Sequence, residues 1–145
     1  MRPAIIAAAI MSISVASASA GNGDAESYVR SSAYRFGVPV AFALAVATVE
    51  SDVSCGVIGA QGEVGPLQVN LATARDVGFR VSRRSSCADM TDAGMAALKW
   101  CLDFTDGDKI AAARCHNGGQ LAAYSRRRSV NQYATRVADL ERKGE

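Results

Sequence analysis

Proton-transfer chemistry has one prominent candidate in this sequence, the carboxyl of Glu50. It closes a run of ten residues, 40–49, that contains a single hydroxyl, and Ser51 follows it directly. A run so apolar reads as a buried helix delivering one acid to an edge. A carboxyl at the end of such a helix is partly desolvated and meets the negative end of the helix dipole, the setting in which carboxylic acids serve as proton donors. Taken alone, Glu50 reads more readily as the first solvated, idle group after a core helix, because charged side chains are rarely buried. Three further groups add amide, imidazole and phenol side chains: Gly62-Glu63-Val64-Gly65-Pro66-Leu67-Gln68, Cys115-His116-Asn117-Gly118-Gly119 and Tyr133-Ala134-Thr135-Arg136-Val137.

The elements that must position these groups are helical. Residues 25–36 read as a helix offering Tyr28, Ala33 and Phe36 to the core after a flexible lead-in at 21–24, with Gly37 as its stop and Pro39 in the first turn of the next helix. That next helix ends at Glu50 and is apolar on nearly every face, so it belongs at the centre. Residues 55–65 hold four glycines in eleven positions and read as a loop or short hairpin that lets a ligand approach the backbone. Asn70 is placed to cap a helix over 71–77 closed by Gly78, and Thr91 to cap one over 92–104. The latter turns Gly94, Ala97, Leu98, Cys101 and Leu102 inward at helical spacing, after a polar loop over 79–90. Residues 109–115 form a short helix, and the last helix, 129–142, has Val130, Tyr133, Val137 and Leu140 on one face.

Residues 1–20 read as a signal peptide. Arg2 supplies the positive start, residues 5–15 an apolar stretch broken only by Ser12 and Ser14, and Ala18-Ser19-Ala20 a cleavage signature. The apolar part is shorter than the roughly 20 residues a membrane span needs, so no stable span is expected after cleavage. The mature part, 21–145, is one domain. It keeps 15 of the 16 basic residues against 14 acidic ones, since only Arg2 is lost with the leader. That balance argues against nucleic acid as a bulk electrostatic partner. The local runs Arg83-Arg84 and Arg126-Arg127-Arg128 read as solvated surface, with contact to an anionic cell-wall polymer as the sharper alternative.

Four cysteines, Cys55, Cys87, Cys101 and Cys115, lie in the exported part and read as two disulfides with three possible connectivities. Zinc is a poor rival, because the chain has one histidine and no close Cys-x-x-Cys pair, and no metal or other cofactor is expected. Consecutive helices joined by a short turn favour Cys101 with Cys115, which leaves Cys55 with Cys87.

The order of the four motifs resembles that of the soluble lytic transglycosylases, the SLT family. Their pattern is an apolar helix ending in Glu-Ser, then Gly-x-x-Gly-Leu-Met-Gln, Ala-Tyr-Asn-Ala-Gly and Tyr-Val-x-x-Val. The resemblance covers essentially the whole mature chain. It implies a mainly α, lysozyme-like domain that acts on peptidoglycan glycan strands in the periplasm or cell envelope. It also implies that Glu50 is the acid and base in non-hydrolytic cleavage of the bond between N-acetylmuramic acid and N-acetylglucosamine, giving a 1,6-anhydro product. The substrate's own N-acetyl oxygen is the usual partner in the family's proposed mechanism. A second carboxylate, which most glycosidases need, is then dispensable. Asp52 lies about 200° around the helix from Glu50, and Glu63 is the other carboxylate nearby.

On this reading Ser51 orients Glu50 or meets an acetamido group, and alternatively satisfies the helix end. Gln68 has donor and acceptor capacity for a sugar, and Tyr133 can hold Glu50 in place. Two departures stand out. Pro66 replaces the common Leu, and His116 falls at the family's Tyr when Asn117 is matched to its Asn, which alters the aromatic platform beneath a sugar. His116 is then either a substrate contact or a helix-end histidine bonded to backbone. A chain without a further wall-binding domain suits local wall opening for a secretion or conjugation machine. A lysozyme-type hydrolase using water and Glu63, and a silent wall-binding scaffold, are the rival classes.

Overall fold

A computed structural model describes residues 22–144, and the expected signal peptide lies outside them. The elements are α1 (Asn22–Phe36), α2 (Val40–Ser51), α3 (Leu71–Asp76), α4 (Cys87–Phe104), α5 (Lys109–Gly118), a 3-10 turn (Gln120–Ala122) and α6 (Arg128–Gly144). Among the described residues none of these helices is long and apolar enough to cross a membrane. The architecture is the mainly helical one expected from the sequence.

The core forms where α2 packs against α1 and α6, and where α4 packs against α1 and α5. Phe42, Ala43, Ala45, Val46 and Ala47 of α2 are all buried, so its apolar composition has a direct cause: the helix has neighbours on several sides. Leu67, Met95, Leu98 and Val137 complete the same core. A smaller cluster, Val64, Val69, Ala74, Met90, Ala93 and Ala97, seats the loop after α2 on α3 and α4.

That loop carries two antiparallel bridges, Ile58 with Val64 and Val64 with Val69, so it folds as two tight turns. The second turn places Gly65 at φ 75°, and a Cβ there would lie 2.7 Å from Cβ of Met90. Glycine is required at this position both by backbone conformation and by contact with α4. The loop is also tied covalently. Cys55 is bonded to Cys87 and Cys101 to Cys115, with Cα separations of 5.4 and 5.7 Å. This is the pairing favoured by the helix order.

Three local expectations need correction. Residues 22–24 belong to α1, where the sequence suggested a flexible lead-in. The buried face of α1 is Ala25, Val29, Ser32 and Ala33, with half-buried Phe36 packed against the core as expected, whereas Tyr28 is exposed. Ser32 is buried because its hydroxyl donates to Asp92 Oδ1 at 2.6 Å. Finally, α4 starts at Cys87, since the Ser86 hydroxyl accepts the Asp89 N–H at 3.1 Å. Thr91 is a buried helical residue whose hydroxyl donates to the Cys87 carbonyl. Asn70 does cap α3, accepting the Ala72 N–H at 2.9 Å.

Candidate active site

Glu50 sits in the last turn of α2, with 17 % of its side-chain surface exposed. The hydroxyl of Tyr133, from the adjacent α6, donates to Glu50 Oε1 at 2.7 Å. Burial first, and then the charge and hydrogen bond of Glu50, push the Tyr133 phenol well above its ordinary 10.0. Tyr133 therefore remains a donor throughout the neutral range and fixes one oxygen of Glu50.

The adjoining loop is pinned to the end of α2 by Ser51. Its buried hydroxyl donates to the Pro66 carbonyl at 2.8 Å and accepts the Ser54 N–H at 3.0 Å. Of the two roles weighed for Ser51, these bonds describe the one internal to the fold. One residue on, the His116 ring donates from Nε2 to the Leu67 carbonyl at 2.9 Å. A carbonyl can only accept, so Nε2 carries the hydrogen. The same nitrogen lies 3.9 Å from Glu50 Oε1, and the ring is 4 % exposed. His116 thus braces α5 against the loop beside the acid.

Gln68 has φ 48°, a rare conformation for a side chain of its size. Its Nε2 donates to the carbonyls of Val57 and Gly65, each at 2.9 Å. Those bonds occupy its donor hydrogens and leave Oε1 as an acceptor. Asn117, at the end of α5, is exposed.

Glu50, Gln68, His116 and Asn117 line one cleft of about 720 Å³. Ser51 and Asp52 are absent from its wall; Asp52 is the exposed, left-handed cap of α2. Glu63 does line the cleft, with Oε2 accepting the Gln61 N–H at 3.0 Å. The wall also includes Asn70, the cap of α3, with Thr73 and Asp76 of α3 and Trp100 of α4.

Sequence reasoning passed over Trp100. Its indole is 44 % exposed and stacks on Phe104, with ring centroids 5.3 Å apart and planes 3° from parallel. An indole left half in water on a helix surface was the available signal, but only the fold places it in the cleft.

One partly buried carboxyl on an apolar helix, steadied by a phenol and facing an open cleft lined with amides, has the chemistry that acid–base work on a polar substrate would need. The model of the Transglycosylase SLT domain matches residues 27–138, and the chain belongs to that family. Its activity is accordingly that of a lytic transglycosylase, and its substrate peptidoglycan. No curated protein sequence matches the chain.

Proposed function

We propose that Glu50 acts alone as acid and then base at the bond between N-acetylmuramic acid and N-acetylglucosamine. Its proton passes to the bridging oxygen as the anomeric C–O bond breaks. The muramyl 6-hydroxyl then attacks its own anomeric carbon and returns a proton to Glu50. The strand ends in a 1,6-anhydro sugar, no water is consumed, and the enzyme recovers its starting protonation.

The hydrogen bond from Tyr133 to Glu50 carries this reading, because it holds a partly buried acid of the cleft, on the apolar helix, in a fixed direction. Gln68 Oε1 and Asn117 supply polar contacts to the sugars, and Trp100 a stacking face. Glu63 on the same cleft supports a second reading, hydrolysis with a water activated by that carboxylate.

Digestion of peptidoglycan followed by mass spectrometry separates the two. Products carrying 1,6-anhydro ends are expected, and reducing ends alone would assign a hydrolase. The leader-like composition of residues 1–20 and the two disulfides support export to the periplasm or envelope.

A further inference from the structure

Beyond Asn117 the cleft borders a second groove, of about 980 Å³, whose chemistry differs. Arg126, Arg128 and Arg136 line it together with Asn117, Asn131 and Tyr133, and no acidic side chain does. None of these arginines takes part in an ion pair among the described residues. Arg128 and Arg136 lie eight residues apart on α6, on one face and about 12 Å apart along the axis. Asn131 in the same wall has its Oδ1 buried without a hydrogen-bond partner, a costly state that an incoming N–H would relieve.

We propose that this groove binds the carboxylates of the stem peptides carried by the muramyl residues of a strand lying in the cleft. The inference rests on a glycan occupying the Glu50 cleft. Asn117 lines both spaces, and Tyr133 joins the groove to Glu50 through its hydroxyl. A ligand in the groove is therefore placed to be an appendage of the one in the cleft. The sugars are neutral and are served by amides and an indole. The acidic part of the substrate is the peptide on the lactyl ether, and three uncompensated guanidinium groups suit its carboxylates. The Arg126-Arg127-Arg128 run acquires a division of labour: the first and third residues line the groove, and Arg127 does not.

Calorimetric titration of the protein carrying Glu50→Gln tests this without turnover. The probes are short glycan strands bearing stem peptides and the same strands stripped by an amidase. Peptide-bearing strands should bind about tenfold more tightly, as several partly exposed ion pairs would give. Arg128→Gln with Arg136→Gln should abolish that advantage and spare the affinity for stripped strands. Arg128→Lys with Arg136→Lys should keep most of it. Arg127→Gln removes the same charge outside the groove and should alter neither affinity. Equal affinities for the two probes, equal losses on both, or the same loss from Arg127→Gln would each overturn the proposal. Failure of the transglycosylase reading shows separately, as a lack of anhydro ends on stripped strands cut by the unsubstituted protein.

Discussion

At the scale of residues, the site turns on the pair Glu50 and Tyr133. Replacing the acid by its amide leaves the shape and removes the transferable proton, so Glu50→Gln should lower the rate of anhydromuropeptide release by at least about 10²–10⁴-fold. Unchanged turnover would place the acid elsewhere. Tyr133→Phe removes a hydrogen bond to a charged group, typically about 1.5–3 kcal/mol. If the bond acts in the transition state, kcat falls roughly 10- to 100-fold; a wild-type kcat with normal melting would reduce Tyr133 to core. The phenol also makes stability depend on pH. Its folded pKa is raised above the ordinary 10.0, so the folded chain retains a proton that the unfolded chain releases. The stability this contributes is complete below about pH 10 and is lost as pH rises through the raised value. Thermal melts above pH 10 should decline more steeply for the parent than for Tyr133→Phe, and parallel slopes would contradict the linkage.

At the scale of elements, the loop between α2 and α3 owes its shape to small contacts with α4. Gly94 packs beneath Leu67, and a Cβ there would lie 2.8 Å from Cβ of Leu67. Leu67 is also the residue whose carbonyl receives His116. Gly94→Ala gains helix propensity but forces the loop outward, and such overpacking costs about 1–3 kcal/mol. Denaturant unfolding should show a net loss of about 1–2 kcal/mol, accompanied by lower activity. A gain in stability would mean that the loop yields freely. The loop's conformation could not be read from its glycines alone. Four glycines signalled turns, yet which turn forms depends on Met90 and Leu67, contacts brought by helices distant in sequence or by hydrophobic packing.

For the whole molecule, the useful fact is that a cleft crosses the face where α2, α4 and α5 meet, and that the chain's single tryptophan lines it. Emission from Trp100 should shift and saturate as a chitooligosaccharide fills the cleft of the Glu50→Gln protein. Trp100→Ala should weaken that binding about two- to tenfold, the worth of an aromatic contact of this kind. Binding seen by calorimetry with no change in emission would take the strand away from α4.

Several features were determined by the sequence itself because their causes are local. The apolar run into Glu50, the Asn70 cap and the inward stripe of α4 follow from neighbours within a few turns. The ordered motifs, spread along the chain, carried the family. The tertiary structure decided the assignments that depend on distant partners. It gave the Ser51 hydroxyl to Pro66, the His116 ring to Leu67 and the Gln68 donors to Val57 and Gly65. It put Trp100 in the cleft and divided the arginine run between groove and solvent. A polar side chain's capacity is fixed by its type, but the partner that uses it is set by which elements fold against it. Glu50 stood out in the sequence only once the later motifs joined its helix, and the resemblance already suggested Tyr133 as its partner; the 2.7 Å bond between them exists because α2 packs against α6.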